Sequence, residues 1–551
     1  MRKTLASLLL CSTLLAPACS KSSDTAPMAH MSGDIAVNAP ANMGSAAMSG
    51  QAEATERVDL TDRKPEPTAT AKPMAPPPHG VIASGTAGAM QKQDVGGEQY
   101  KDYGTNPWVD AEKDRLSTFA ADVDTASYTL ARRKLLEGSL PVKASVRVEE
   151  FVNYFTYKFP EPTSSTPFSV VMEAAPSPLS PGRHILRVGV ATKAKSAYER
   201  KPANLVFLVD VSGSMRGPDR LDLAKQSLRI LTNNLIDGDT VSLVTYAGSS
   251  RVILQPTGLQ HKAKILSAID ELQSGGSTAM GSGIDLAYAQ AAKGLKPGAV
   301  SRVIVLSDGD ANVGSHTHDE ILKMIAGRVK EGVTLSTIGF GVGNYHDQTM
   351  EQLANKGNGN NFYIDSVDAA KKVFQEQIGA TLEVVAKDAK FQVDFDPKLV
   401  SRYRLVGYEN RDIADTDFRN DQVDAGEIGA GHQVTAMYEV ELTAEGKQSG
   451  APLGGVRIRH KAPDGIKATE AAFPMAGGAA VSFANASADF RFAFATAAFA
   501  DVLRGGQDAD HWSLAQIRDL AKSAAGESKD RREMVSLIEK TMTLTGRTAQ
   551  R

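Results

Sequence analysis

Five oxygen-bearing side chains stand at three places in the chain where they could form a metal site. The motif DVSGS follows an apolar run and contains three of them, the segment GGSTAMGSG contains the fourth, and SRVIVLSDG contains the fifth. In chain order they are Asp210, Ser212, Ser214, Thr278 and Asp308. Two carboxylates and three hydroxyls are hard oxygen ligands, which suit Mg²⁺. Some of these groups would bind the ion directly and others through water. The pattern therefore predicts a divalent-metal site with one open or water-filled position.

The elements that must position these side chains are alternating strands and helices between residues 201 and 382. Apolar runs such as NLVFLV, TVSLVTYA and SRVIVL are typical of buried strands, and segments with helical periodicity separate them. This alternation predicts an α/β fold, a doubly wound and mostly parallel Rossmann-like sheet that binds ligands beyond the carboxyl ends of its strands. Asp210 and Asp308 both stand at such an end. The hydroxyl residues Ser212, Ser214 and Thr278 could merely cap helices. Capping does not explain an aspartate at the end of each of two buried strands, where a carboxylate is costly without a counter-charge.

The order DxSxS, Thr and SDG on successive elements resembles the metal-ion-dependent adhesion site (MIDAS) of von Willebrand factor A (VWA) domains, and the resemblance covers residues 201–382. It implies that the five side chains bind Mg²⁺, with Mn²⁺ or Ca²⁺ as substitutes. An acidic side chain of a protein or peptide ligand is the natural group for the open position, because it replaces a water with a charged oxygen. The loops at 215–220, 275–281 and 310–319 would frame that contact.

The segments on both sides of this domain resemble YfbK-like bacterial VWA lipoproteins. The stretch from NPWVDAEKDRLSTF to EEFVNYF resembles the N-terminal module of that family. The sequences KFQVDFDPKLVSRYRLVGYENR and GAGHQVTAMYEVEL resemble its C-terminal module, so the resemblance runs from about Tyr100 to past residue 500. It implies the fold and the metal site, but it names no ligand.

The flanking segments predict a β-sandwich-like domain into which the VWA domain is inserted. We expect a helical N-terminal module at 100–160, a β segment at 161–200, a β-rich C-terminal module at 383–480 and a C-terminal helical segment at 481–551. Alternating strands within about 165–195 and 384–462 should pair in one β-domain, because the ends of an inserted domain lie close together. The segment ADFRFAFATAAFADVL is apolar on most faces and should form a buried helix.

The N-terminus, MRKTLASLLLCSTLLAPAC, has the form of a lipoprotein signal. A basic start, a short apolar stretch and small residues predict a signal peptide at 1–18. The sequence LAPAC resembles a bacterial lipobox, and this resemblance implies acylation of Cys19. Residues 19–99 read as a low-complexity tether, because residues 20–99 contain no Phe, Tyr or Trp. A lipid anchor would attach the protein to the cell envelope. Ser20 after the cysteine favours the outer membrane, on its periplasmic or surface face.

Other patterns in the sequence exclude several classes of function. Lys and Arg number 61 against 64 Asp and Glu, so net charge gives no reason to expect nucleic-acid binding. Two cysteines are too few for a disulfide framework. The segment DVDTA resembles a phosphoaspartyl motif only in part, so Asp124 or Thr125 is expected to cap a helix that begins near Ala126. His316 and His318 of HTHD share the metal face with His346, but three solvated histidines are favoured over a second, zinc-like site.

The favoured function is a binding module on an envelope-anchored lipoprotein, which captures a protein or peptide through its metal. The chain is not expected to be an enzyme, because no general base is identifiable near the metal beyond its two carboxylate ligands. Two alternatives stay open: an Mg²⁺-dependent hydrolase that uses metal-bound water, and an envelope scaffolding protein whose metal is structural.

Overall fold

The computed structural model of the protein describes residues 92–95, 98–121, 124–163, 166–195, 199–309, 317–341, 347–376, 382–423, 425–463, 465–480, 482–507 and 511–546. The chain divides into two units, 1–83 and 84–551, and all these residues belong to the second. The predicted signal peptide, Cys19 and most of the predicted tether lie outside the described residues, as do His316 and His346.

The N-terminal region contains more strand than its sequence suggests. In chain order its elements are β1 (Lys92–Val95), β2 (Glu98–Lys101), β3 (Val109–Asp110), β4 (Leu116–Ala120), α1 (Ala126–Leu136), α2 (Val148–Asn153), β5 (Phe168–Pro176) and β6 (His184–Thr192). β1 and β2 pair antiparallel, so regular structure begins before the end of the predicted tether. The predicted helical module also supplies β3 and β4 to the sheets of the β-domain.

Helix α1 starts at Ala126 as the pattern predicts, but the expected capping side chains are wrong. Thr125 occupies the cap position without a side-chain cap hydrogen bond. The backbone N–H of Ser127 donates instead to Glu150 Oε2 at 2.7 Å. Asp124 accepts from the Asn361 N–H at 2.8 Å and from Arg411 Nη2 at 3.1 Å. Tertiary partners thus replace the local cap.

The next region is a six-stranded sheet flanked by helices. Its elements are β7 (Ala203–Asp210), α3 (Leu221–Asn233), β8 (Thr240–Tyr246), β9 (Ser250–Gly258), α4 (Lys262–Asp270), α5 (Met280–Gly294), β10 (Val300–Ser307), α6 (His318–Lys330), β11 (Val333–Gly339), α7 (Asp347–Lys356), β12 (Asn361–Tyr363) and α8 (Val367–Lys371). The strand order is β12-β11-β10-β7-β8-β9, parallel throughout except for β9. This is the predicted doubly wound α/β domain.

The central strand β7 shows why this sheet is buried on both faces. Successive side chains of a strand point to opposite sides. Leu205 and Phe207 pack into the core on one face, whereas Val206 and Leu208 pack into the core on the other. A continuous apolar run is therefore required here, in place of the alternation of a half-exposed strand.

The β-domain follows, and its two sheets share one core. Its elements are β13 (Val384–Phe395), β14 (Val400–Val406), β15 (Ile428–Gly429), β16 (Gln433–Leu442), α9 (Gly446–Ser449), β17 (Gly454–Lys461) and β18 (Ala468–Pro474). One sheet has the order β15-β13-β17-β18 with β4 beside β13, and the other has the order β3-β14-β16-β6-β5. β6 pairs antiparallel with β16 along its length. This pairing confirms that the strands before and after the α/β domain form one β-domain.

Three helices end the described chain: α10 (Ala488–Arg504), α11 (Leu514–Ala524) and α12 (Lys529–Thr545). Phe490, Phe492 and Phe499 of α10 are fully buried, in a core that also contains Phe151 of α2. The burial predicted for this apolar segment is confirmed. Within the described ranges, no helix combines the length and the apolar character that crossing a membrane requires.

Candidate metal centre

The two acidic residues of the predicted site meet at the carboxyl edge of the six-stranded sheet. Asp210 is the last residue of β7, and Asp308 directly follows β10. The two strands are parallel neighbours, with Leu306 opposite Val209. Both carboxylates are buried, with 0% and 2% of their residues exposed. The topology therefore brings together two groups that are far apart in the sequence.

The DVSGS loop turns sharply at this edge. The Ser212 N–H donates to Asp210 Oδ1 at 2.8 Å, and the hydroxyls of Ser212 and Ser214 lie 2.9 Å apart. A 3₁₀ turn spans Gly213–Met215, and the fully buried Met215 holds this turn in the core. The two serine hydroxyls thus lie in hydrogen-bond contact beside the Asp210 carboxylate.

Asp210 is a buried charge that the protein compensates only with hydroxyl and amide donors. Its Oδ2 accepts from the hydroxyl of Ser307 at 3.1 Å, and it forms no ion pair with any described residue. Burial raises the pKa of Asp210 to about 6; the hydrogen bonds from Ser212 act in the opposite direction, and the charge of Asp308 adds to the rise. The Tyr246 hydroxyl is buried nearby, and its burial raises its pKa well above the usual value. The edge of the sheet therefore concentrates negative charge at low exposure.

The loop that contains Thr278 is bonded directly to the DVSGS loop. The Gly275 N–H donates to the Val211 carbonyl at 2.7 Å, and the Gly213 N–H donates to the Gly276 carbonyl at 3.0 Å. Thr278 is half-buried and stands two residues before α5. Helix α5 approaches the sheet closely through Gly283, where a Cβ atom would lie 2.9 Å from Tyr246 Cβ. The structure thus places the Thr278 loop beside the DVSGS loop, which runs from Val211 to the start of α3 and is called the serine loop below.

Two residues of the site do not follow from the predicted motif. Ser307 orients Asp210, and its place directly before Asp308 in SDG is the signal that could have identified it. Arg220 donates through Nη1 to the Ser214 carbonyl, and the same nitrogen lies 3.7 Å from Asp308 Oδ2. The position of Arg220 in the sequence does not indicate this contact, because the contact depends on how the loop folds back.

A groove of about 550 Å³ lies next to the serine and threonine loops. Its lining includes Val211, Arg251, Ile253, Glu271 and Gly275. Ile253 is 40% exposed, which is unusual for a large apolar side chain. The groove offers both an apolar surface and a basic side chain to a group that reaches the edge of the sheet.

The donor set at this edge suits a hard divalent cation. Among the described residues it contains two buried carboxylates and hydroxyl oxygens, which are ligands of hard cations rather than of zinc or copper. Within the described ranges, including this edge, no group of three or more His, Cys, Asp or Glu side chains is arranged to hold a metal ion, so the candidate set depends on hydroxyls beside its two carboxylates. Most of the third framing loop, 310–316, lies outside the described residues.

Three family models match the chain. The model described as "Uncharacterized protein YfbK, C-terminal" matches residues 380–544, and the model described as "von Willebrand factor type A domain" matches residues 204–376. A third, described as "von Willebrand factor", matches residues 94–187. The three matches follow one another along the described part of the chain.

Curated relatives extend this similarity. The chain is 39% identical over 469 residues to "Uncharacterized protein YfbK" of Escherichia coli (strain K12), with 81% of each chain covered. It is 29% identical to "Uncharacterized protein sll0103" of Synechocystis, over 39% of this chain and 50% of that relative. It is also 31% identical to a "UPF0353 protein" of Mycolicibacterium gilvum, over 34% of this chain and 64% of the relative.

Solved structures resemble the fold at low sequence identity. The structure titled "von Willebrand factor type A from Catenulispora acidiphila" is 17% identical, with a TM-score of 0.41, over 70% of this chain and 91% of that chain. The ArnB paralog VWA2 from Sulfolobus acidocaldarius is 16% identical, with a TM-score of 0.33, over 70% and 100% of the two chains.

Proposed function

This chain belongs to the YfbK family of proteins with a von Willebrand factor A domain, and we propose that it binds a protein or peptide ligand through a divalent metal ion. VWA domains typically serve protein interaction. Asp210, Ser212, Ser214, Thr278 and Asp308 would hold the ion, which we propose is Mg²⁺, with Mn²⁺ or Ca²⁺ as substitutes. The ligand would offer a carboxylate to the open position.

The observation that carries this proposal is the uncompensated burial of Asp210. Its carboxylate is fully buried, forms no ion pair with a described residue and has a pKa raised to about 6 by burial. A second buried carboxylate, Asp308, lies at the same edge. Taking charges out of water is costly unless they are paired. A divalent cation would supply the missing charge.

The protein's own residues would prepare the site for the ion. Ser307 and the Ser212 N–H orient the Asp210 carboxylate, and the Ser212–Ser214 contact holds two hydroxyl oxygens together. A bound divalent ion would add an electrophilic position that accepts a charged oxygen. Two carboxylates would leave the site near neutral, so an incoming carboxylate would not be repelled. The groove beside Val211 and Ile253 would then contact the rest of the ligand.

Hydrolysis at this site is the less favoured function. Metal-assisted hydrolysis needs a group that takes a proton from the attacking water. Among the described residues in contact with Asp210 and Asp308, the polar side chains are hydroxyls and the guanidinium of Arg220. Burial raises the pKa of the nearby Tyr246, so this residue stays a neutral phenol and provides no phenolate to act as a base. A scaffolding role with a structural metal shares the same ion site, but it predicts no metal-dependent ligand.

Metal-dependent capture tests the function. Calorimetry of Mg²⁺ binding to the full chain should detect one site, and immobilised protein should retain acidic peptides or an envelope protein only in the absence of EDTA. Asp210→Asn should abolish both results. Asp222→Asn, which changes an exposed aspartate on α3, is the matched control. Capture that persists undiminished in EDTA would overturn the mechanism, and turnover of model phosphoesters or peptides would favour the hydrolase.

We also propose that acylation of Cys19 anchors the protein to the cell envelope, in the outer membrane. The protein should then partition into detergent, and Cys19→Ala should release it in soluble form. A Cys19→Ala variant that stays in the membrane fraction would show that the lipid-anchor prediction is wrong.

A further inference from the structure

We propose that Arg133 is a positioning residue of the metal site, although it lies on helix α1, outside the VWA domain. Its contacts would fix the loop that carries Ser212 and Ser214, so that the flanking module sets the affinity of the domain for the ion. This inference rests on the proposed function, and it assigns part of the control of that site to another module.

Arg133 spans the boundary between α1 and the VWA domain. Its Nη2 lies 2.9 Å from Asp219 Oδ2, and its Nη1 donates to the Tyr363 hydroxyl at 3.0 Å. Its Nε donates to Glu137 on its own helix at 3.0 Å. The side chain of Arg133 is 13% exposed and that of Asp219 is 36% exposed. One guanidinium therefore binds the VWA domain at two separate points.

The first point is the far end of the serine loop. Asp219 stands between Ser214 and the start of α3, next to Arg220. The loop turns at Gly217, whose φ of +143° is strained for other residues, and the Arg220 N–H donates to the Gly217 carbonyl at 3.3 Å. The hydrogen bond from Arg133 to Asp219 therefore restrains the backbone of Arg220.

The second contact of Arg133, with Tyr363, also leads to Arg220. The Tyr363 hydroxyl donates to the Gly341 carbonyl. A Cβ atom at Gly341, where φ is +73°, would lie 2.5 Å from Arg220 Cγ, so the stem of Arg220 rests on this glycine. Both contacts of Arg133 thus converge on Arg220.

Arg220 connects these contacts to the candidate ligands. Its Nη1 donates to the carbonyl of Ser214 and lies 3.7 Å from Asp308 Oδ2. Hydroxyl ligands are weak donors, so their affinity for an ion depends on how well they are held in place before it binds. Loss of Arg133 would release the loop at both points, and the ion would then have to order Ser212 and Ser214 as it binds.

The neighbouring Arg132 offers a matched control. It lies on the same helix and also binds the VWA domain, through Nε to Asp365 Oδ2 at 3.0 Å. Its other contacts are the hydroxyl of Tyr154 at 2.9 Å and Glu533 at 3.4 Å. None of these partners belongs to the serine loop. Removing Arg132 should therefore weaken the same interface without disturbing the metal ligands.

The test is calorimetry of Mg²⁺ binding to the full chain, with thermal unfolding in EDTA measured beside it. Arg133→Ala and Asp219→Ala should each weaken Mg²⁺ binding by about fivefold, at the low end of typical couplings between sites. Asp219→Ala should add less than twofold in the Arg133→Ala background, because both changes remove the same contact. Arg132→Ala should lower the melting temperature and leave the Mg²⁺ affinity within twofold of wild type.

Three results would overturn the inference. The first is an Mg²⁺ affinity of Arg133→Ala that is within twofold of wild type, or tighter. The second is a loss of Mg²⁺ affinity in Arg132→Ala equal to that in Arg133→Ala, which would indicate a general effect of the interface. The third is full additivity of the Arg133 and Asp219 changes. If Arg133→Ala does not fold, Asp219→Asn at the more exposed partner decides the question by the same twofold limit. A wild-type chain that binds no Mg²⁺ would instead overturn the proposed function, and this inference with it.

Discussion

Two fully buried aspartates lie at opposite ends of the VWA sheet, and the protein treats them differently. Asp239 directly precedes β8, at the amino end, and accepts hydrogen bonds from both terminal nitrogens of Arg200. The N–H groups of Ala203 and Ile236 also donate to it, at 2.7 and 2.8 Å. Both side chains of the Arg200–Asp239 pair are almost completely buried. The fold itself neutralises this carboxylate.

Among the described residues, no cation forms an ion pair with Asp210 at the carboxyl end. Its hydrogen bonds come from Ser212 and Ser307, and Asp308 adds a second negative charge nearby. Pairing inside the fold offsets the desolvation cost of a buried carboxylate, whereas a carboxylate that is left uncompensated at an edge is typical of a functional site. The degree of burial alone therefore does not separate a structural aspartate from a candidate metal ligand. The number and charge of its donors do.

The largest expected effect comes from breaking the compensated pair. Asp239→Ala should lower the free energy of unfolding by about 3–5 kcal/mol, because it leaves Arg200 buried without its counter-charge. Urea denaturation in EDTA would measure the loss. A loss below about 1 kcal/mol would contradict the structural role that its four hydrogen bonds indicate.

Adding Mg²⁺ tests the role of Asp210 at the carboxyl end of the sheet. Mg²⁺ at one hundred times its dissociation constant should stabilise the wild-type protein by about 2.7 kcal/mol relative to EDTA. An Asp239 variant that still folds should gain the same amount, because its metal site is intact. Asp210→Asn should gain nothing. Equal stabilisation of Asp210→Asn and wild type by Mg²⁺ would place the ion elsewhere.

In EDTA, Asp210→Asn should change stability in the opposite direction to Asp239→Ala. The pKa of Asp210 is raised from 3.8 to about 6. The folded state therefore holds a proton that the unfolded state loses between these values, and the contribution of Asp210 to stability falls as pH rises through this window. At pH 7 the variant should be more stable than metal-free wild type by about 1–3 kcal/mol. The difference should disappear near pH 4, and a difference that does not vary with pH would contradict the assignment.

The half-buried His432 gives the smallest effect and tests the same pH argument with a group that becomes cationic. Burial lowers the pKa of His432 from 6.5 to about 4, and the charge of Arg302 adds to the shift. His432 contributes stability that is present above pH 6.5 and is lost as pH falls through this window toward 4. His432→Gln should remove about 1–2 kcal/mol of this acid sensitivity, since the residue is only partly covered. If thermal unfolding gives the same dependence of stability on pH for the variant and the wild type, the prediction for His432 is wrong.

The sequence predicts the features that depend on local pattern. Alternating apolar runs and helical periodicity identify the α/β domain, and the motif order places Asp210 and Asp308 at strand ends that prove to be neighbours. The alternating strands on both sides of that domain identify the β-domain, which the pairing of β6 with β16 confirms. The metal and its ligand stay predictions.

Features that depend on partners distant in the sequence required the tertiary structure. Glu150, rather than Asp124 or Thr125, bonds the start of α1. Arg200 rather than a metal neutralises Asp239, and Arg133 reaches across to Asp219. Periodicity and motif spacing report which face of an element is apolar and which side chains follow a strand. They do not report which of many arginines faces which carboxylate, because that choice is made only when separate elements pack together and each buried charge must find its counter-charge.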